Sequence, residues 1–342
     1  MSTSDVLPAG KLPPPLLDRL LRRFAPSDPR LIVGPQMGED AAVIDFGATY
    51  LVAKTDPITF ATDEIGWYAV NVNANDIAVM GGVPRWFLAT VLLPEKSSTP
   101  ALIEAIYAQL SEACNALGVS LAGGHTEITV GLDRPIISGT MLGEVTPERL
   151  VRSSGVQPGD DLILARGVPI EGTAIIAWEK EQELLARGFD PALLKRAQGF
   201  LHDPGISVVA AAHLAVDTVA VHAMHDPTEG GLATGIWEMA QASGVGLTVD
   251  FDAVPVPPES QALCDSYGLD PLGVIASGAL LVALAPAETG KLLAAFADAA
   301  IPAQVIGHAT EPAGELKAWR GGRETVFPRF AVDEIARLFS DD

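Results

Sequence analysis

The stretch WYAVNVNANDIAVMGG, residues 67–82, decides the fold. Trp67, Tyr68, Val70, Val72, Ile77, Val79 and Met80 place apolar groups all round a helix axis, so the segment reads as a helix to be buried on every side. Thr62 or Asp63 is expected to start it and Gly81–Gly82 to stop it. Yet Asn71, Asn73, Asn75 and Asp76 sit in its middle. Three amides and a carboxylate in a buried helix need partners, which must come from elsewhere in the chain or from a ligand.

The surroundings are strongly acidic. Among 342 residues, 43 acidic side chains outnumber 22 basic ones, for a net charge of −21. Such a field repels nucleic acid and anionic membrane surfaces, so neither is expected as a partner. Hydrophobic residues make up 48% of the chain, enough to build the cores of two domains. Cys114 and Cys264 are the only cysteines and read as small buried thiols rather than a disulfide framework. The N-terminal residues carry no apolar leader, and the longest apolar run, VIASGALLVALA, has 12 residues where a span needs about 20. These features predict a cytoplasmic protein.

Outward from the helix, AAVIDF and YLVAKTD read as paired strands, and WFLATVLLP as a third. TPALIEAIYAQLSEACNALG follows as a helix, VSLAGG as a buried strand running into glycines, and RPIISGTMLGEV as a further strand. The turn in VQPGDDLILA opens a second run of helices and strands, ending in an expected helix VDEIARLFSDD. The expected organisation is an N-terminal arm and helix over 1–30, domains over 31–150 and 151–330, and a C-terminal tail over 331–342, in a mixed α/β (α+β) class.

Carboxylates recur where apolar elements end. Glu39 and Asp40 precede a strand, Asp56 closes one, Asp76 lies in the helix and Asp226 precedes another helix. Each alone reads equally well as a turn or cap residue. As a set, with only Lys54 and Arg85 as nearby basic partners, they suit a shared hard cation; Mg²⁺ takes oxygen ligands and bridges to phosphates. LAGGHTE and DPTEGGLATGI supply glycine turns, the second at a helix start whose free N–H groups attract anions. Neither common nucleotide-loop pattern occurs, nor a serine-hydrolase elbow. His222 and His225 read as strand-end histidines rather than metal ligands.

Together these stretches resemble the aminoimidazole-ribonucleotide synthetase (PurM-like) superfamily, which includes thiamine-monophosphate kinase, selenophosphate synthetase and the hydrogenase-maturation factor HypE. GEDAAVI is similar to its GDDAAV, KTDPIT to its TTD segment, NDIAVMGGVP to its NDIAxMGAxP and DPTEGGLA to its DPTxGGLA; GLDPLG is similar to the HypE branch. The resemblance implies two α/β domains, with strands of the first pairing across a homodimer into a barrel. It implies that the dimer covers the 67–82 helix and that its polar residues face a nucleotide cleft. It also implies Mg²⁺ at Glu39, Asp40, Asp56, Asp76 and Asp226, and ATP near Lys11, Asp56, Asn75, Gly123, Gly124, Thr228, Gly230 and Gly231.

The chain departs from that pattern at chemically telling places. Glu127 stands at the lysine of the HypE GDTK motif, His125 at its aspartate and Ser277 at the glutamate of NEG, and no cysteine follows Cys264. His125 and Glu127 are therefore the catalytic candidates. The resemblance implies Mg-ATP-dependent activation of an amide or carboxyl-type group on a small molecule or protein tail, with an acceptor other than HypE's. An ATP-binding assembly module and a kinase of the thiamine-phosphate type are the alternatives.

Overall fold

The computed structural model describes residues 11–24, 28–59, 61–311 and 314–339. The first ten residues and the end of the expected tail helix lie outside them. A proline-led helix, α1 (Pro14–Arg23), comes first and buries no residue. The first sheet contains β1 (Leu31–Val33), β2 (Ala42–Asp45), β3 (Tyr50–Ile58), β4 (Val83–Pro94), β5 (Ser120–Thr129) and β6 (Ile136–Val145). Its order is β1-β2-β3-β6-β4-β5, and only the β4–β5 pair is parallel. AAVIDF and YLVAKTD do pair, with Val43 opposite Val52. Two helices lie between these strands, α2 (Ile65–Val79) and α3 (Pro100–Leu117).

The second half is built round a seven-stranded sheet. Its elements are β7 (Asp161–Ala165), α4 (Ile170–Glu179), α5 (Glu181–Ala186), α6 (Pro191–Gly199), α7 (Val209–Thr218), β8 (Ala223–His225) and α8 (Gly231–Ser243). β9 (Gly246–Asp250), α9 (Pro258–Tyr267), β10 (Leu280–Leu284), α10 (Pro286–Asp298), β11 (Ala303–Thr310), β12 (Leu316–Arg320) and β13 (Arg323–Thr325) complete it. The order is β13-β12-β9-β11-β7-β10-β8. The tail forms a short 3₁₀ turn over Glu334–Leu338, not the expected helix. The apolar run Pro191–Thr218, long enough by composition to span a membrane, leaves helical geometry at Asp203 and sends Leu194, Leu201, Ala211 and Ala215 into the core.

Two expectations need correction. The 67–82 helix does not need a dimer to cover it. As α2 it packs against β3, β4, β6, α3 and α7 of its own chain, and Asn71, Asn73, Asn75 and Asp76 are all buried there. One core runs from α2 into α4, α6 and α9, while Ala78 and Val79 join the core beneath α7 and β10. The helix is apolar all round because it is shared by both halves. VSLAGG, conversely, is not a buried strand: after the buried Val119 it starts β5, which among the described residues pairs only with β4 and lies exposed along most of its length. Gly124 is explained by strand packing, since a Cβ there would meet the Ala89 carbonyl oxygen at 1.9 Å.

Candidate functional site

The amides of α2 are held by backbone. Asn71 donates to the Trp67 carbonyl at 2.9 Å and Asn73 to those of Ala69 (2.9 Å) and Asp56 (3.2 Å), which ties α2 to β3. Gly139 makes room for Asn73, whose amide nitrogen would lie 2.4 Å from a Cβ there. Asn75 donates to the Ile206 carbonyl and accepts from the Val208 N–H, both at 2.8 Å. Its amide thus clamps α2 to the segment before α7, rather than lining the expected nucleotide cleft.

Asp76, one residue further, meets Asp40 and Asp226. Each of the three offers a carboxylate oxygen, and these atoms lie within 4.8 Å of one another, all buried. Asp40 enters from the loop before β2 and Asp226 from the loop after β8. Among the described residues, neither Asp226 oxygen nor Asp76 Oδ2 has a hydrogen-bond partner, and all three atoms are buried. Burial raises the pKa of both Asp76 and Asp226 above the usual carboxylate range, and their aspartate neighbours add to it. Three converging oxygens with orphan lone pairs suit a hard cation, and the all-oxygen donor set fits Mg²⁺.

The remaining predicted ligands stand outside that triad. Glu39 hydrogen-bonds the Ser154 hydroxyl and accepts from Gln36 at 3.1 Å. Asp56 lies 3.6 Å from the Lys54 ammonium, which is 2.8 Å from Asp76. Burial works to discharge Lys54, but Asp76 and Asp56 overcome it and hold its pKa above the ordinary lysine value. Behind the triad, His225 sits 2.8 Å from Asp40 and 3.3 Å from Glu238. Burial opposes a charge on His225, but Asp40 and Glu238 outweigh it and raise its pKa. Glu238 is pulled down to about 2, against its own burial, by Lys11 and His225. His222 pairs with Asp160 at 2.8 Å, so both histidines are occupied by carboxylates at β8.

A cavity next to Asp56 is lined by Lys11, Ile58, Val72, Glu171, Thr228 and Ser277 among others. Lys11 reaches it from the N-terminal arm, its backbone N–H donating to Glu229 at 2.9 Å and its ammonium 3.6 Å from Glu238. Glu171, in the first turn of α4, is almost fully buried and accepts from the Ser277 N–H at 3.3 Å. Burial pushes it up to about 7.

The glycine turn at α8 differs from expectation. Gly230 adopts a left-handed conformation, and its N–H donates to Asp333 Oδ2 at 2.6 Å. Asp333 Oδ1 takes the N–H groups of Ile335 (2.8 Å) and Ile275 (3.2 Å). A carboxylate of the chain itself therefore occupies the Gly230 donor expected to bind phosphate. Gly231 fits closely over the 272–274 backbone, where a Cβ would approach the Leu272 oxygen to 2.5 Å.

Gly123, Gly124, His125 and Glu127 lie on β5. The first three line a separate hollow with Ala89, Tyr107 and Leu121. His125 and Glu127 are exposed and 3.2 Å apart, and among the described residues neither pairs with the aspartates. Sequence reasoning missed Glu171, Glu238 and Asp333. Glu171 and Asp333 take partners 106 and 103 residues away along the chain, and Glu238 pairs with Lys11 of the N-terminal arm; no local pattern marks such contacts.

The fold and the triad define a two-domain α/β protein with a carboxylate centre between its halves. Residues 38–145 match the AIR synthase related protein N-terminal domain and residues 157–317 the corresponding C-terminal domain. The chain belongs to the AIR synthase related family. It is 33% identical over 269 residues to carbamoyl dehydratase HypE of Rhodobacter capsulatus, covering 75% of this chain and 74% of that one. It is 31% identical over 349 residues to selenide, water dikinase of Aeromonas salmonicida, covering 92% and 93%. The solved complex of hydrogenase maturation protein HypE with ATP has the same fold, with a TM-score of 0.71 at 24% identity over 91% of this chain and 92% of that one. Thiamine monophosphate kinase of Aquifex aeolicus shares it too, at 0.69 and 19% over 95% and 99%.

Proposed function

We propose that this protein is an ATP-using enzyme that activates or phosphorylates an acceptor, with Mg²⁺ held by Asp40, Asp76 and Asp226. The observation that carries this reading is Asp226: it is buried, and among the described residues both its oxygens lack partners. Leaving a buried carboxylate unpaired costs several kcal/mol, a cost removed when a cation binds. Mg²⁺, when bound, neutralises charge on a transferring phosphoryl group. Asp40, Asp76 and Asp226 hold it; His225 and Glu238 orient Asp40 from behind; Asp56, Lys11 and Thr228 border the adjoining cavity.

The solved complex of HypE with ATP supports ATP as the co-substrate, and relatives that include both carbamoyl dehydratases and selenide, water dikinases leave the acceptor particular to this chain. Neither cysteine suits the role of acceptor: both are buried in helices, and burial pushes Cys114 up to about 11 and Cys264 to about 12. The exposed β5 edge, with Leu121, Ile128 and Val130, is the surface through which two chains pair as a homodimer.

Calorimetric titration of ATP with Mg²⁺ and with EDTA tests the metal reading. Wild type is expected to bind at least ten-fold more tightly with Mg²⁺ than in EDTA, and Asp226→Asn and Asp76→Asn at least ten-fold more weakly than wild type with Mg²⁺, about 1.4 kcal/mol. Equal affinity in all four conditions would return these residues to turn and cap roles.

A further inference from the structure

Asp56 and Asp76 stand in the sequence as two ligands of one ion, but their side chains divide the centre differently. Asp76 is placed as a bridging carboxylate. Its Oδ1 lies 2.8 Å from the Lys54 ammonium, while Oδ2 is buried with no hydrogen-bond partner among the described residues, and the residue belongs to the aspartate triad. Asp56 Oδ2 approaches the same ammonium at 3.6 Å. Among the described residues, Lys54 is the only lysine or arginine within ion-pair distance of these four aspartates. Enzymes that displace phosphoryl groups with two metal ions set them about 3.5–4 Å apart, so that one ion steadies the attacking oxygen and the other the leaving one. Here a cation of the chain itself already sits on the far side of the bridging carboxylate.

We propose that Lys54 takes the place of a second divalent ion: the centre uses one metal, at Asp40, Asp76 and Asp226, and one ammonium, between Asp56 and Asp76, which also contacts a phosphoryl oxygen of the nucleotide. The inference rests on the metal–nucleotide reading above. An ammonium has three donors. Asp76 takes one at hydrogen-bond distance, and Asp56 is longer, which leaves capacity for a ligand oxygen. The Lys54 side chain keeps 22% of its surface accessible, and Asp56, 3.6 Å from its ammonium, borders the cavity that Lys11 and Thr228 line. A divalent ion between Asp56 and Asp76 would meet the ammonium's charge at contact distance, so the two cannot share the position. The arrangement also ties the Lys54 chain to α2 before any metal binds, so part of the centre is set in advance.

The test counts ions. Mn²⁺ is titrated into the full chain and followed by the electron paramagnetic resonance of the free ion, with and without the analogue AMPPCP. Wild type is expected to take one tight Mn²⁺ per chain, and Lys54→Arg, which keeps the charge, also one. Lys54→Met, which keeps the length and removes the charge, is expected to take two, and its affinity for AMPPCP in EDTA to fall ten-fold or more. Two ions or none on wild type, or one on Lys54→Met, would overturn the proposal. If Lys54→Met does not fold, the wild-type count and the arginine variant still decide it. Failure of the nucleotide reading is seen separately, as no AMPPCP binding to wild type under any condition, while the Mn²⁺ counts without analogue continue to judge Lys54.

Discussion

Replacing Glu171 by Gln tests whether the cavity floor holds a carboxyl that burial keeps protonated. Glu171 is 3% exposed, and burial pushes its pKa up to about 7 from 4.5. The Ser277 N–H and hydroxyl lower it, but Asp333 and Asp56 add negative charge. The folded state therefore binds this proton more tightly than the unfolded chain. Stability from this group is fully present below pH 4.5 and is lost as pH rises from there through about 7. At about 1.4 kcal/mol per pH unit, the loss above pH 7 is about 3 kcal/mol. Gln is isosteric, still accepts from the Ser277 N–H and does not ionise, so it escapes the loss. With an unfolding entropy of about 2 cal/mol/K per residue, the gain corresponds to roughly 4 °C in Tm. Melting curves in EDTA at pH 5 and pH 8.5 check this. The variant is expected to match wild type at the acid end and to melt roughly 4 °C higher at the alkaline end. An offset of the same size at both pH values would refute the reasoning, because it would have no proton behind it.

Two further outcomes are expected. Asp333→Ala leaves the N–H groups of Gly230, Ile275 and Ile335 without their acceptor, and loss of about 2–4 kcal/mol in denaturant unfolding is expected; an unchanged midpoint would mean that the tail does not anchor the glycine turn. Ile128→Lys with Val130→Lys charges the exposed β5 end, and light scattering is expected to move from twice 35.7 kDa in wild type to a single chain, with the melting curve unchanged. Wild type at the mass of one chain would argue against pairing through this edge.

The sequence by itself determined the elements whose signals are local. Alternation marked AAVIDF and YLVAKTD as paired strands, because a strand's two faces are written in adjacent residues, and the structure pairs them as β2 and β3. Apolar residues on every face marked α2 as buried, and the motif resemblance implied one centre of Glu39, Asp40, Asp56, Asp76 and Asp226, of which the structure brings Asp40, Asp76 and Asp226 together. Tertiary structure decided how the polar groups are spent. That Lys54 separates Asp56 from the triad depends on how β3 lies against α2. That Asn75 holds the 206–208 backbone depends on residues 131 and 133 positions away, and that Gly230 is capped depends on Asp333, 103 positions away. A donor at a helix start looks the same in the sequence whether it faces solvent, a phosphate or a distant carboxylate. The same limit applies to α2 and β5: periodicity gives the polarity of each face, but only the packed chain decides which neighbour covers it, and here it covers the helix and leaves the strand open.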